Sequence, residues 1–354
     1  MKILVIIPSL KRGGAERVAS RLTTVWAASH DVLLLLYDEQ GPRYPYGGHR
    51  LCLDRAARPG LWRKAIRVAS RALRIAQVIR RFQPDRVISF MEAANIPAIL
   101  SAAMVGFRKK LIVSVHNDPS RFPRFYQWAI RLLYPFAHAT VAVSEGISSE
   151  LRRNFGLAKS RVVPIPNPID VAGAREAVQQ EQRGDYILAV GRLNRQKGFD
   201  LLLRAYAKMR ERIRRPLVIL GDGPERSSLL ALAEALHVAG DVQLRGSVEN
   251  PFAIMAAADL MVVSSRYEGW GVALAEAMAC GCPAVSFACN YGPSEIIEDG
   301  KSGLLVTPEN VEELAGRMGD VLENRDLHDR LAAGATERVQ RFDAAVVAPL
   351  WLET

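Results

Sequence analysis

The sequence predicts an α/β fold made of two domains, each with a parallel β-sheet. Short apolar runs rich in valine, isoleucine and leucine alternate with segments of helical length along the chain, the pattern of βα units around a parallel sheet. The cycle occurs twice, on either side of a segment with three prolines in five residues, Pro164 to Pro168. With 354 residues, the chain exceeds the ~250–300 residues at which one hydrophobic core stops growing. We therefore expect domains at 1–167 and 168–341, joined by this link.

Each predicted strand is one of the short apolar runs, and each predicted helix is a longer segment that follows such a run. In the first half, strands begin near Lys2, Val32, Arg86, Lys110, Ala139 and Arg161, with helices near 15–28, 61–82, 94–105, 124–134 and 145–154. In the second half, strands begin near Tyr186, Leu217, Val242, Leu260, Ala284 and Leu304, with helices near 198–211, 225–238, 271–280 and 309–342. The polar stretch from Val171 to Gly184 has little strand character, and the final segment, 342–354, is compatible with packing on the first domain.

The composition is that of a folded globular protein. With 49% apolar residues, 24% charged residues and a mean hydropathy of +0.03, the chain lies near the globular average, which excludes disordered, collagen-like and polytopic membrane proteins. The apolar opening from Ile3 to Ile7 stops at Pro8, too short for the ~7–15-residue core of a signal peptide. No later run approaches the ~18 apolar residues of a spanning helix. We expect a cytoplasmic location by default.

The charge is distributed unevenly between the two halves. Residues 1–167 contain 27 lysine and arginine residues and 10 aspartate and glutamate residues, a net charge of +17, whereas residues 168–354 contain 20 and 27, a net charge of −7. Such a distribution indicates that the first half faces something anionic: a membrane leaflet, a phosphorylated ligand or a nucleic acid. The composition does not choose among them.

The four cysteines do not form a metal-binding pattern. Cys280, Cys282 and Cys289 fall within ten residues, but there is no Cys-x-x-Cys and no nearby histidine to complete a zinc site. We expect no metal site and interpret the cysteines as reduced, small apolar residues.

Parallel sheets joined by a link create a cleft at their carboxyl ends, so we expect the chemistry in strand-to-helix loops. A nicotinamide dehydrogenase is one alternative, but no Gly-x-Gly-x-x-Gly follows a strand, and Gly221-Asp222-Gly223-Pro224 is only a fragment of one. After the first strand, Gly13 and Gly14 precede a helix, where the backbone can approach an anion closely. A tight turn, with Glu16 complementing the helix dipole, explains the pair equally well.

A second loop brings two cations together. The strand Tyr186 to Val190 runs into Gly-Arg-Leu-Asn-Arg-Gln-Lys-Gly, which places Arg192 and Lys197 on one loop. An arginine can bind diphosphate oxygens in a bidentate manner, and a lysine adds a point charge as negative charge develops on a leaving group. A solvated basic loop is the structural alternative.

A third loop carries two glutamates. Glu268 precedes a helix that contains Glu276, and glycines 269 and 271 open the turn between strand and helix. Carboxylates accept hydrogen bonds from hydroxyl groups, and the free N–H groups of a helix N-terminus bind anionic oxygens, so this pattern suits a polyol or a sugar phosphate. The structural alternative makes Glu268 a helix-terminus carboxylate and Glu276 a surface residue.

These loops follow one another in a recognisable order. The order is the glycine pair, Gly-Arg-x4-Lys-Gly, Leu220-Gly-Asp-Gly-Pro-Glu225, Glu-x7-Glu, and Gly292-Pro-Ser-Glu-Ile-Ile-Glu-Asp-Gly300-Lys-Ser-Gly-Leu-Leu-Val306. It closely resembles retaining glycosyltransferases of family 4, whose GT-B fold has two Rossmann-like domains with parallel sheets facing across an interdomain cleft. The chain is most similar to the bacterial branch that extends polyprenyl-diphosphate-linked glycans, including N-acetylgalactosamine transferases, through Val87-Ile-Ser-Phe90, Asn95-Ile96 and Cys280-Gly-Cys-Pro283.

The resemblance implies a role for each site residue. Arg192 and Lys197 would bind the diphosphate of a nucleotide sugar, which in this branch implies a UDP-sugar, with the Gly13 and Gly14 backbone approaching from the other domain. Glu276 would hold the ribose hydroxyls. Glu268 would grip the donor sugar together with the backbone of Gly269, Trp270, Gly271 and Val272.

His116, in Ser114-Val-His-Asn117 at the end of a strand, matches the family histidine near the reacting sugar carbon. Without the resemblance, a loop-capping role explains this histidine. Asn167-Pro168-Ile-Asp170, Trp270 and Val272-Ala-Leu depart from the commoner family residues and leave the donor sugar open.

Residues 61–82 read as a basic amphipathic helix. One arc holds Ile66, Ala69, Ala72, Leu73, Ala76 and Ile79, and the other holds Arg63, Arg67, Arg71, Arg74 and Arg81. The arginine stripe suits anionic lipid headgroups or the phosphates of a lipid-linked acceptor. A solvated helix face is the structural alternative. Nucleic-acid binding is disfavoured because aromatic residues do not interleave with the cations.

Together, the sequence predicts a retaining hexosyl- or N-acetylhexosaminyltransferase that uses a UDP-sugar, with no cofactor and no required metal because the chain contains no Asp-x-Asp. The expected acceptor is a polyprenyl-diphosphate-linked oligosaccharide, and the expected location is peripheral, on the inner face of the plasma membrane. The alternatives are a lipopolysaccharide or soluble sugar acceptor, and a non-enzymatic protein that binds membrane or nucleic acid.

Overall fold

The computed structural model describes residues 1–11, 13–38, 44–53, 62–180 and 184–354. For residues 62–65 within this range, it describes the backbone alone. The chain forms two compact units. Unit 1 comprises Met1–Pro168 and Ala344–Thr354, and unit 2 comprises Ile169–Asp343.

Unit 1 is a parallel sheet with helices between the strands. Its elements are β1 (Lys2–Ile7), α1 (Gly14–Ala27), β2 (Asp31–Leu36), β3 (His49–Cys52), α2 (Trp62–Phe82), β4 (Arg86–Phe90), α3 (Glu92–Met104), β5 (Leu111–Val115), α4 (Arg124–Leu133), β6 (Ala139–Ala142), α5 (Glu145–Arg153) and β7 (Val162–Pro164). In the described residues the strand order is β3-β2-β1-β4-β5-β6-β7, all parallel. Strands β1, β4 and β5 are therefore neighbours, and their carboxyl ends lie side by side.

Unit 2 repeats this architecture. Its elements are α6 (Val171–Gln180), β8 (Ile187–Val190), α7 (Phe199–Arg210), β9 (Leu217–Leu220), α8 (Arg226–Ala235), β10 (Val242–Gly246), α9 (Phe252–Ala257), β11 (Leu260–Val263), α10 (Val272–Ala279), β12 (Ala284–Phe287), α11 (Pro293–Ile296), β13 (Leu304–Val306), α12 (Val311–Glu323) and α13 (Arg325–Arg338). Within the part described, the strand order is β10-β9-β8-β11-β12-β13, again all parallel. Strands β8, β11 and β12 are neighbours.

The last helix, α14 (Ala344–Glu353), belongs to unit 1. The indole Nε1 of Trp26 on α1 donates to the carbonyl of Ala348 at 3.1 Å. The buried ring of Trp351 stacks on Phe90 at the end of β4, with 5.3 Å between centroids. Helix α14 therefore places an aromatic ring against the end of β4 in the unit 1 sheet.

The prediction of two parallel-sheet, Rossmann-like domains is confirmed, and four local differences have physical causes. β3 was not predicted because this edge strand is mostly exposed and has no apolar run. α6 lies in the polar stretch from Val171 to Gly184, for which no helix is predicted, and Asp170 just before it accepts from the Gly173 N–H at 2.8 Å. α9 was missed because it is a short apolar helix. The predicted 309–342 helix is interrupted at Asn324, whose side chain caps α13.

Candidate active site

The loop after β8 holds the two predicted cations. Arg192 is exposed. Lys197 ends a short 3-10 turn. The Asn194 side chain caps the start of this turn by accepting a hydrogen bond from the Lys197 N–H at 3.4 Å. Gly198 follows with a φ of +61°, and a Cβ there would overlap the Ser264 carbonyl oxygen. A side chain is thus excluded where this loop approaches the loop after β11.

Lys197 and Glu268 form the centre of the site in unit 2. The Lys197 Nζ lies 2.5 Å from Glu268 Oε1, and the same oxygen accepts from the Ser265 hydroxyl at 2.7 Å. The Glu268 side chain is 8% exposed and the Lys197 side chain is 22% exposed. The structure therefore brings together a cation and a carboxylate that are 71 residues apart in the sequence.

Arg266 fixes the loop that carries Glu268. Its guanidinium binds Asp200 on α7 in a bidentate manner, at 2.8 and 2.7 Å, and its Nη1 also donates to the Arg195 carbonyl at 3.0 Å. The hydrogen bond to Arg266 holds the pKa of Asp200 below its ordinary value, which favours the charged form of the carboxyl. The backbone N–H of Arg266 donates to the Gln196 carbonyl at 2.8 Å. The two loops are thus tied together through backbone and side chain.

The N-terminus of α10 lies directly after Glu268. Gly271 is its N-cap residue, with a φ of +113°, and Val272 is its first helical residue. Trp270 is buried with its ring edge-on to Phe342, at 4.9 Å between centroids. Gly292, with a φ of +82°, leaves no room for a Cβ because such an atom would overlap the Trp270 carbonyl oxygen. The turn Gly269–Val272 is therefore held by Phe342 on one side and by Gly292 on the other. It ends at the N–H groups that begin α10.

Glu276 lies inside α10 and is 1% exposed. It is therefore not the surface residue of the structural alternative. A carboxylate is seldom buried without hydrogen-bond partners or a charged neighbour. Glu276 follows Glu268 by eight residues. One carboxyl group therefore precedes the N-terminus of α10 and the other follows it.

The cysteines behave as apolar residues. None of the four cysteines forms a disulfide, and Cys280, Cys282 and Cys289 are buried. Burial, with a further contribution from the Glu268 charge, raises the pKa of Cys289 to about 12, so this thiol stays protonated. Among the described residues, no group of three histidine, cysteine, aspartate or glutamate side chains is arranged to hold a metal ion.

In unit 1, the loop between β1 and α1 carries the predicted glycine pair. Gly13 is the N-cap residue of α1, with extended backbone, and Gly14 begins the helix with open space where a Cβ would lie. The Glu16 carboxylate sits against the Gly13 Cα, so a side chain at 13 would overlap it. Both glycines therefore lie in the segment that follows the carboxyl end of β1, which is the neighbour of the central strand β4.

His116 follows β5 on the same edge of that sheet. Its Nε2 lies 2.9 Å from the Ser114 hydroxyl, and its ring packs against Phe90 with 5.4 Å between centroids. Phe90 in turn stacks on Trp351. Burial lowers the pKa of His116 to about 3, and a hydrogen bond to Asn167 acts in the opposite direction. The imidazole is therefore neutral near pH 7.

A second polar cluster, which the sequence did not indicate, lies at the start of α3. The Glu92 Oε1 is buried with no hydrogen-bond partner among the described residues. Burial raises the pKa of Glu92 to about 7. Burial raises the pKa values of Tyr126 and Tyr134, and the Glu92 charge acts in the same direction. Asn95 on α3 donates to the Tyr134 oxygen at 2.8 Å. Glu92 therefore lies among polar groups at the carboxyl edge of the sheet.

The predicted basic helix is α2. The arginines predicted to contact acceptor or membrane are Arg63, Arg67, Arg71 and Arg74. The side chain of Arg63 lies outside the described residues. The Arg71 guanidinium stacks over the Tyr37 ring at 4.0 Å, and Arg74 donates to the Leu53 carbonyl at 2.6 Å. Two members of the stripe are thus engaged with unit 1 itself.

The apolar arc of α2 differs from the sequence interpretation. Ala72, Ala76 and Ile79 are buried as part of the face that also includes Ile75, but Ile66 and Leu73 are exposed. The buried face is therefore rotated with respect to the predicted arc, because α3 covers only one side of the helix. No described helix is both long enough and apolar enough to cross a bilayer.

The fold and the two loops of unit 2 define a GT-B glycosyltransferase. Its N-terminal part, residues 12–172, matches the model described as Glycosyltransferase Family 4, and residues 173–338 match Glycosyl transferases group 1. The chain belongs to glycosyltransferase family 4, as its motifs predicted, and it is a glycosyltransferase enzyme.

Two relatives from Campylobacter jejuni align along almost the whole chain. One, N-acetylgalactosamine-N,N'-diacetylbacillosaminyl-diphospho-undecaprenol 4-alpha-N-acetylgalactosaminyltransferase, is 30% identical over 98% of this chain and 97% of its own length. The other is an alpha-1,4-N-acetyl-D-galactosaminyltransferase that acts on GalNAc-alpha-(1->4)-GalNAc-alpha-(1->3)-diNAcBac-PP-undecaprenol. It is 25% identical over 100% of this chain and 98% of its own length. Both names specify a glycan on undecaprenyl diphosphate as the acceptor.

Solved structures share the fold. HepE from Anabaena in complex with UDP-glucose superimposes with a TM-score of 0.83 at 21% identity, covering 100% of this chain and 98% of HepE. Sucrose-phosphate synthase from Thermosynechococcus elongatus superimposes with a TM-score of 0.81 at 18% identity, covering 99% and 97%. At these identities the likeness establishes the GT-B fold.

Proposed function

We propose that this chain is a retaining glycosyltransferase that moves a hexose or an N-acetylhexosamine from a UDP-sugar to a polyprenyl-diphosphate-linked oligosaccharide. Unit 2 would bind the donor and unit 1 the acceptor, at the inner face of the plasma membrane, where the enzyme is peripheral. The acceptor class comes from the two Campylobacter relatives, whose names specify undecaprenyl-diphosphate glycans.

The observation on which this proposal rests is the Lys197–Glu268 pair beside the N-terminus of α10. A lysine and a carboxylate in contact, with helix N–H groups and an exposed arginine nearby, offer donors for a diphosphate and acceptors for sugar hydroxyls in one place. We infer that Lys197 and Arg192 bind the diphosphate. Glu268 and the Gly269–Val272 backbone hold the sugar, and the buried Glu276 holds the ribose.

The proposed reaction is a front-face displacement. The acceptor hydroxyl oxygen attacks the anomeric carbon on the face from which the diphosphate departs, so the new glycosidic bond keeps the configuration of the donor. The departing phosphate oxygen takes the proton of the acceptor hydroxyl, and UDP leaves. Arg192, Lys197 and the N–H groups of α10 stabilise the negative charge that develops on the diphosphate. On this proposal, no metal is required for that task.

Unit 1 contributes a neutral histidine and a glycine pair. A neutral His116 accepts or donates a single hydrogen bond without adding positive charge, which suits a role in orienting the donor sugar rather than in neutralising diphosphate. Gly13 and Gly14 lie at the N-terminus of α1, where the first N–H groups of a helix have no intrahelical acceptor. Arg67, Arg71 and Arg74 on α2, with Arg63, are the proposed contacts for acceptor phosphates or lipid headgroups.

The test has two stages. In the first, the melting temperature is measured with UDP, UDP-sugars, GDP and TDP, because a ligand that binds only the folded state stabilises it. We expect a shift with UDP and UDP-sugars alone. In the second stage, the UDP-sugar with the largest shift is incubated with a short-chain polyprenyl-diphosphate disaccharide, and the product is analysed by NMR. A β-configured product from an α-linked donor would rule out retention, and a shift with no uridine nucleotide would rule out the donor assignment.

A further inference from the structure

The outer side of α4 presents large apolar side chains to solvent. Phe125 is 64% exposed, Trp128 is 61% exposed and Leu132 is 61% exposed, and Phe136 just beyond the helix is 48% exposed. The spacing of three and four residues along α4 places the first three on one side of the helix. We call these four residues the α4 apolar face. Clustered apolar exposure of this kind marks an interaction surface rather than the ordinary scatter of single residues.

Arginines surround the α4 apolar face. Arg121, Arg124 and Arg131 are exposed along the same segment, and the Arg108 guanidinium lies 5.4 Å from the Phe136 ring centroid. No aspartate or glutamate occurs between residues 119 and 144. One of these arginines, Arg121, also lies 3.8 Å from the Asp118 carboxylate. Among the described residues, the border of this aromatic and aliphatic surface is still mainly cationic, which is complementary to an apolar layer covered by anionic groups.

The rest of α4 holds this face in a fixed orientation. Ile130, on the opposite side of the helix, is buried, and so is Ala129. The Gln127 amide donates to the carbonyls of Ser120 and Phe122, at 2.9 and 2.8 Å, which anchors the first turn to the preceding loop. The apolar side chains are therefore exposed on a helix that unit 1 has already positioned, and they are not needed to build its core.

We propose that the α4 apolar face docks on the surface of an anionic phospholipid bilayer. Phe125, Trp128, Leu132 and Phe136 enter the interfacial layer, and the surrounding arginines bind lipid phosphates. This inference rests on the proposed function, because a lipid-linked acceptor remains in the bilayer while its glycan is extended. It assigns the attachment to α4, whereas the sequence pointed to the arginines of α2.

The surface continues from α4 towards α2. Tyr126 on α4 and Arg71 on α2 are close enough for the arginine charge to lower the pKa of the tyrosine, against the larger effect of burial. Both helices pack against α3. A bilayer in contact with α4 would therefore lie next to the helix proposed to contact acceptor phosphates.

The experiment measures binding of the full chain to vesicles by flotation, with phosphatidylcholine alone and with phosphatidylcholine mixed with phosphatidylglycerol. We expect binding to the mixed vesicles and at least about tenfold weaker binding for the F125S/W128S/L132S variant. The matched control is V178S/L230S/V346S, which removes three exposed apolar side chains from α6, α8 and α14 and is expected to bind as the wild type does. Trp128 emission should shift to shorter wavelength on binding, and W128F should abolish that shift.

Two further readouts separate this proposal from the proposed function. The melting-temperature shift with UDP reports on the donor site and should be the same in the wild type and in F125S/W128S/L132S, which also shows that the variant folds. Equal vesicle binding by both proteins, or no binding by the wild type, would overturn the α4 assignment while leaving the transferase proposal intact. Lipid-independent dimerisation of the wild type that the triple variant abolishes would also overturn it, because the face would then be an interface between copies.

Discussion

The Nζ of Lys197 lies 2.5 Å from Oε1 of Glu268, and that oxygen also accepts a hydrogen bond from Ser265. The residue proposed to bind the donor diphosphate and the residue proposed to bind the donor sugar are thus paired with each other. In this arrangement each of the two side chains holds the other in place, and the buried Glu268 side chain has a cationic partner. A bound donor would offer Lys197 phosphate oxygens in addition to Glu268.

This pairing predicts non-additive effects on stability. K197M leaves a buried carboxylate without its cation, and E268Q leaves the lysine without its carboxylate, so each single variant should lower the free energy of unfolding. The K197M/E268Q double variant should be more stable than the sum predicts, by about 1–3 kcal/mol. Urea unfolding of the four proteins measures this coupling. Additive effects would show that the contact contributes nothing to the fold.

Arg192 should matter for donor binding, and its neighbour Arg195 should not. Both arginines are exposed on the loop after β8, so each alanine variant removes one cation from the same segment. R192A should abolish most of the UDP-induced melting-temperature shift and lower turnover about 100-fold, the usual effect of losing one transition-state donor. R195A is the matched control and should keep the UDP-induced melting-temperature shift and the turnover of the wild type. Equal losses in the two variants would indicate a general effect of loop charge, contrary to the assignment.

The sequence could predict the part of the candidate site that depends only on which residues follow each strand. Arg192, Lys197, Glu268 and Glu276 follow or lie within elements whose strands could be read from apolar runs, and neighbouring parallel strands bring their loops to one edge. The Lys197–Glu268 contact itself could not be read, because side-chain pairing depends on the packing of two loops.

Other features left no signal in the sequence. Glu92 is a single glutamate after a strand, and its raised pKa is a consequence of burial, which the sequence does not reveal. The α4 apolar face could not be read either, since an amphipathic pattern with apolar residues on both sides does not say which side the fold covers. Ser265 is one of several serines before Glu268, and only the hydrogen bond from its hydroxyl to Glu268 distinguishes it.

His116 predicts a stability that depends on pH in the acid range. Its folded-state pKa is about 3 and its ordinary value is 6.5. Between these values the unfolded chain binds a proton at this site and the folded chain does not, so the free energy of unfolding should fall as the pH falls from 6.5 towards 3. H116Q should flatten this dependence, and H49Q, at an exposed histidine, should not. Urea titrations across this range measure the difference, and parallel curves for H116Q and the wild type would contradict it.

Glu92 predicts that the stability of the protein depends on pH with the opposite sign. Its folded-state pKa is about 7 and its ordinary value is 4.5. Between these values the folded chain keeps a proton that the unfolded chain releases, so stability should fall as the pH rises from 4.5 to 7. E92Q mimics the protonated carboxyl and should be more stable than the wild type at pH 8 by roughly 1–3 kcal/mol. The exposed E234Q is the control. A destabilising E92Q at pH 8 would show that the charged carboxylate is the form the fold requires.

Gly292 and Gly300 separate backbone strain from steric overlap at the donor site. Both have a positive φ, +82° and +75°, but a Cβ at 292 would overlap the Trp270 carbonyl oxygen, whereas no atom lies within 4 Å of one at 300. G300A should therefore cost about 1 kcal/mol, the penalty of the conformation alone. G292A should cost roughly 3 kcal/mol or more, because the Trp270 peptide must also move. Since that peptide leads into the N-terminus of α10, G292A should also reduce the UDP-induced melting-temperature shift, which G300A should leave unchanged. Equal destabilisation by the two variants, with equal UDP shifts, would mean that Gly292 does not position the turn at Gly269–Val272.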